Sequence, residues 1–255
     1  MSLYRHVLLS ALMVGTMVMT MRAPLYAHDS EPMNTEFAAP FAVRAGNIQV
    51  GFRWLKDGGL YEAVPIAFEY GFGRRQQIAI ELPLLRSDEP GKTLTRPGNI
   101  ELKYRYLIAG GMERKFAVSV NPSLGIPSGD KRVAERAWTL GGAIHLDTHL
   151  ADRFFTHMNI GYETPVANFE EKEKNFFYKF AAMYEASETF HPVLELLGEH
   201  DFNGGGTRLT IEPEGILRAG ERWEIKSGIP VGLTASTPDV GVQVQVTWKF
   251  GEGHQ

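Results

Sequence analysis

A period-two alternation of apolar and polar residues restricts this chain more than any other feature. Ile48, Val50, Phe52 and Trp54 alternate with Asn47, Gln49, Gly51 and Arg53. In an extended strand successive side chains point to opposite faces, so this spacing puts one set on each side of a sheet. The pattern returns in Val64, Ile66, Phe68, Tyr70 and Phe72, and in Ile78, Ile80, Leu82 and Leu84. Ile100, Leu102, Tyr104, Tyr106 and Ile108 repeat it around Glu101, Lys103 and Arg105. Near the end Val242, Val244, Val246, Trp248 and Phe250 alternate with Gln243, Gln245, Thr247 and Lys249.

With the weaker segments included, the alternation predicts about 12 strands of roughly 9–11 residues, the length that crosses a bilayer at a tilt. The expected spans are 46–55, 61–72, 76–85, 99–108, 115–125, 138–148, 154–163, 175–185, 192–200, 207–217, 223–233 and 240–250. The tenth is the least regular, because Pro213 interrupts it between Glu212 and Glu214. Short connections at 71–75, 109–114, 149–153, 186–191 and 219–222 alternate with long polar segments at 86–98, 127–137 and 163–174. Short turns on one side and long loops on the other are the layout of an outer-membrane barrel. An even strand number then leaves both barrel ends on the short-turn, periplasmic side.

Aromatic residues fall toward the strand ends. Tyr70, Phe72, Tyr106, Phe116, Phe154, Tyr184, Trp223, Trp248 and Phe250 belong to one rim, and Trp54, Trp138, Tyr162 and Phe176 to the other. Rings at both interfaces form the girdles of membrane barrels. A soluble sandwich or lipocalin-like barrel also alternates, but it hides its apolar face inside. Spanning-length strands with few polar residues on the apolar face favour lipid outside.

The N-terminal stretch predicts export. Arg5 and His6 precede an apolar run over 7–21, and Leu25-Tyr26-Ala27 offers a small residue at a cleavage point. The run is shorter than the roughly 20 residues of a spanning helix and fits a signal peptide, with a short uncleaved anchor as the alternative. The expected division is a signal peptide at 1–27, a short periplasmic segment at 28–45, the barrel at 46–250 and a tail at 251–255. Cysteine is absent, which removes thiolate metal sites, disulfides and a lipoprotein signal. A net charge of -4 provides no basic field for nucleic acid. The expected partners are outer-membrane lipid and lipopolysaccharide, with periplasmic chaperones and the barrel-assembly machinery during biogenesis.

With the strands placed, the chain resembles the outer-membrane barrel proteins of the meta-pathway of phenol degradation, often described as transporters. The resemblance rests on Glu69-Tyr70-Gly71, Glu81-Leu82-Pro83 and Gly98-Asn99-Ile100-Glu101-Leu102-Lys103-Tyr104-Arg105-Tyr106. It continues through Pro122, Ile126-Pro127-Ser128-Gly129-Asp130, Asn159-Ile160-Gly161-Tyr162 and Leu194-Glu195-Leu196, over residues 46–250. It implies a channel or transporter for small hydrophobic or aromatic compounds, and it supplies no catalytic residues and no cofactor. The tail after Phe250 departs from barrels that end on the aromatic itself.

Strand parity assigns the lumen candidates: Arg53, Glu69, Glu81, Glu101, Lys103, Arg105, His145, Asp147, His157, Lys179, Glu195, Glu199, Glu224, Lys226 and Lys249. Charges at membrane depth face protein or water, and the mixed signs give no strong ion preference. His145, Asp147, His157 and Asn159 share the inner face of neighbouring strands, so a divalent metal site or a base with its orienter is a further option beside a hydrogen-bonded lumen cluster. No serine is tied to them by a motif. The expected function is an outer-membrane channel. The alternatives are a non-conducting structural or loop-displaying barrel and, with less support, a membrane hydrolase.

Overall fold

The computed structural model describes residues 30–56, 60–89, 92–111, 115–134, 136–166, 175–202 and 206–251. The expected signal peptide, its cleavage point at His28, most of the 163–174 loop and all but the first tail residue lie outside these described residues. The described chain is all-β. Its first strands are β1 (Gly46–Leu55), β2 (Leu60–Val64), β3 (Ile66–Gly73), β4 (Gln76–Glu81), β5 (Leu84–Glu89) and β6 (Lys92–Pro97). Then come β7 (Ile100–Gly110), β8 (Phe116–Ile126), β9 (Thr139–Ala151), β10 (Phe154–Pro165) and β11 (Asn175–Tyr184). The last are β12 (Phe190–Asp201), β13 (Gly206–Ala219), β14 (Trp223–Gly228), β15 (Val231–Gly232) and β16 (Gly241–Phe250).

Neighbouring strands pair antiparallel around a ring. β1 meets β16 from Gly46↔Phe250 to Leu55↔Gly241, and β12 meets β13 from Phe190↔Leu217 to Asp201↔Gly206. The thirteen strands of the main sheet occupy twelve positions, because β14 and β15 share one between β13 and β16. The ring is closed, so no backbone edge faces lipid, which is the condition for spanning a bilayer with strands. The outer face carries the apolar set: Phe52 is 52% exposed, while Asn47 on the opposite face is 2% exposed. At the short-turn rim the rings of Trp223, Trp248, Phe250 and Phe68 contact one another in sequence, with centroid separations of 6.4, 5.5 and 5.8 Å.

Five expectations need correction. The 61–72 and 76–85 spans each break, at Pro65 and at Leu82-Pro83. Above the breaks the chain forms a separate three-stranded sheet, β2-β5-β6. Residues 86–98, expected as a loop, therefore form much of a hairpin in which Leu84 pairs with Pro97 and Glu89 with Lys92. The 223–233 span breaks at Ile229-Pro230, since proline cannot donate to a ladder. The tenth span, expected to be the least regular, is instead continuous from Gly206 to Ala219. Ile229 N donates to the Pro213 carbonyl at 3.1 Å, so the N–H that Pro213 lacks faces the same β14–β15 break. Finally, residues 30–45 do not lie outside the barrel as a periplasmic segment; they fold into it.

Candidate functional site: an occupied lumen

The inner face of the strands is polar, and a polar surface inside a ring must find partners or water. Residues 30–45 supply the partners. The segment is rooted at the short-turn end by reciprocal backbone bonds, Arg44 N to Gly71 O at 2.7 Å and Gly71 N to Ala45 O at 2.9 Å. Arg44 takes a left-handed φ of 68° at this bend. A Cβ on Gly71 would lie 2.5 Å from the carbonyl oxygens of Phe41 and Ala42, so only glycine admits the bend so close to β3.

From this root the segment rises along the wall from β4 through β7, β8 and β9 to β10. Phe41 N donates to Gln77 Oε1 at 2.9 Å, and Ala38 N to Asp147 Oδ2 at 2.8 Å. Ala38 and Ala39 pack with Leu107 and Ala117 in a small apolar cluster. Asn159 bonds both backbone groups of Glu36, accepting from its N at 2.7 Å and donating to its O at 2.8 Å. Asn34 marks the deepest part of the insertion. The chain then descends: Met33 N donates to Glu214 at 3.2 Å, and Ser30 Oγ bonds Glu224 near the short-turn rim.

Charge fixes the orientation of the insert. The Glu36 carboxylate meets Lys103 Nζ at 2.9 Å, Arg105 Nη2 at 2.7 Å and Asn121 Nδ2 at 2.9 Å. The opposite wall is acidic, with Glu195, Glu212 and Glu214 on β12 and β13, and it receives backbone and amide N–H groups. Bonds to charged partners in a low-dielectric interior are worth more than neutral ones, roughly 1.5–3 kcal/mol each. Burial pushes the Glu36 carboxyl up, but Lys103, His145 and Arg105 outweigh it and hold the group well below the usual glutamate range. For Glu31 burial wins over Arg105 and Lys226, and its pKa is raised.

The other candidates fall as follows. Lys103 also meets Glu81 at 2.5 Å and Glu101 at 3.8 Å, and Glu69 accepts from Asn47 Nδ2 at 3.1 Å. Glu224 pairs with Lys249 at 2.7 Å beside the buried Lys226. Lys179 lies 5.6 Å from the centre of the Phe177 ring, and Glu199 stands 3.8 Å from Arg208. Asp147 and His157 Nδ1 are joined at 2.9 Å, whereas His145 Nδ1 turns to the Phe37 carbonyl at 3.1 Å. Among the described residues no three His, Asp or Glu side chains are grouped to hold a metal.

Sequence reasoning missed Asn121, Gln77, Glu212 and Glu214 as partners of the segment. Parity alone assigns the two glutamates to the inner face; Pro213 concealed them by making the strand look broken. Nothing in residues 30–45 alternates, so no pattern announces that they insert.

No family model and no curated protein matches the sequence. Among solved structures, the chain is similar to the COG4313 outer membrane channel from Pseudomonas putida F1, with a TM-score of 0.67 and 9% identity over 87% of this chain and 100% of that one. It is also similar to the NanC porin (TM-score 0.60, 9% identity, 80% of this chain and 100% of that one). For the KdgM porin the values are 0.58, 11%, 81% and 99%. The chain thus has the fold of outer-membrane barrel channels and porins, and its lumen holds a segment of its own.

Proposed function

We propose that the protein works in the outer membrane as a channel or transporter-like barrel for small hydrophobic or aromatic compounds, with residues 30–45 as its internal stop. The observation that carries this reading is the insert itself: a ring that accommodates a folded-back polypeptide leaves a passage of similar cross-section when the peptide withdraws. About 8 strands give a filled interior and 16–18 an open channel, so twelve suit a passage that one segment can close. The solute class rests on the resemblance to the phenol meta-pathway barrels. It is supported by the inward apolar cluster Phe155, Ala181, Met183, Val193 and Ile216 toward the short-turn end.

Single-channel recording in planar bilayers tests the reading. Wild-type protein should show small conductance, and a variant lacking residues 30–42 a several-fold larger one at unchanged barrel content by circular dichroism. Absence of current in both folded forms would leave the non-conducting scaffold as the better account.

A further inference from the structure

At the deepest point of the insert, one side-chain amide is bound from four strands at once. Asn34 Oδ1 accepts from Arg53 Nη2 of β1 at 2.6 Å and from Gln243 Nε2 of β16 at 3.3 Å. Asn34 Nδ2 donates to Glu195 Oε2 of β12 at 2.6 Å and to Glu212 Oε2 of β13 at 3.1 Å. The two donors lie on the oxygen side of the amide and the two acceptors on the nitrogen side. This is the full complement for a planar carboxamide, whose oxygen takes two hydrogen bonds and whose nitrogen gives two. Glu195, Glu212 and Gln243 are almost wholly buried. Glu212 Oε1 is also buried, without a hydrogen-bond partner among the described residues, and it lies in the space beside Gly228 that a Cβ there would fill. Asn34 therefore does not exhaust the acceptors of the site.

From this convergence we infer that Arg53, Gln243, Glu195 and Glu212 form a binding site for a primary carboxamide, which the chain's own Asn34 occupies in the resting barrel. A solute bearing such a group competes with Asn34 for the same four side chains. Its role in permeation rests on the channel reading, but its binding does not. Carboxylates fit poorly, because they bring a further carboxylate against Glu195 and Glu212 and have no N–H to give. Amines fit poorly for the opposite reason, since they leave the Arg53 and Gln243 donors without an acceptor.

Chemical rescue of Asn34→Ala is the test, with propionamide as probe and propionate and propylamine as controls. The substitution removes the internal amide without touching the barrel wall. Saturation-transfer NMR on the detergent-solubilised variant should show saturable propionamide binding, at least tenfold stronger than in wild type, and none with either control. Adding Gln243→Ala to Asn34→Ala should weaken that binding several-fold. In bilayers, Asn34→Ala should conduct more than wild type, and propionamide should return that conductance toward the wild-type level. Equal signals from all three probes, or no gain over wild type, would overturn the site. Amide binding without any current in either form would uphold it and refute the channel reading alone.

Discussion

Glu36 shows how single residues hold the insert. Its carboxylate spans Lys103 and the buried Arg105, so Glu36→Gln leaves both cations short of one partner. Breaking such a pair from one side costs roughly 3–5 kcal/mol. The segment should then become more accessible, read as faster thiol labelling at Ser30→Cys, a unique cysteine in this chain. The same contacts set a pH dependence. Because the pKa of Glu36 is lowered when docked, its contribution is present above the ordinary value of 4.5 and is lost as pH falls through the lowered one. Glu31, raised by burial, acts in the other direction: its contribution is full below 4.5 and is lost as pH rises through its raised value. Docking should therefore be tightest between these limits, with labelling increasing toward both extremes. Labelling that does not change with pH would remove both carboxyls from the latch.

Strand parity and the rooting bend belong to the scale of the element. On β16 Val244 is 37% exposed on the outer face, and its neighbour Gln245 is 4% exposed on the inner one. Val244→Arg should cost roughly 2–4 kcal/mol if it lies near the bilayer midplane. Gln245→Ala, which removes a lumen bond to Gln49, should cost about 1 kcal/mol. Urea unfolding of the folded variants in lipid compares the two, and equal losses would contradict the register. At the root, Gly71→Ala places a methyl against the carbonyls of Phe41 and Ala42. It should raise labelling at position 30 severalfold, while the pairing of β3 with β4 keeps the barrel spectrum unchanged.

On the scale of the whole molecule, the insert returns to the short-turn rim at Ser30. That course suits release of the preceding residues before the segment docks. We expect intact-mass analysis of membrane-extracted protein to give a chain beginning at or near His28, and a mass retaining Met1 would sink this expectation. The sequence by itself determined the barrel: the period of two from Ile48 to Phe250 fixes which face meets lipid, because a one-residue slip would invert every strand. It also determined the inner position of Lys103, Arg105, Glu195 and Lys249, since parity is a local property. Breaks at Pro65, Pro83 and Pro230 were harder to read, because a proline ends a ladder only where its missing N–H meets a partner strand. Tertiary structure alone decided that residues 30–45 turn inward and that Glu36 and Asn34 find their partners. Those contacts join residues more than sixty positions apart for Glu36 and more than one hundred and fifty for the Asn34–Glu195 pair. No period within the segment encodes them. They depend on the closed ring bringing β1, β7, β12, β13 and β16 around the insert, where a buried polar group must be matched by another.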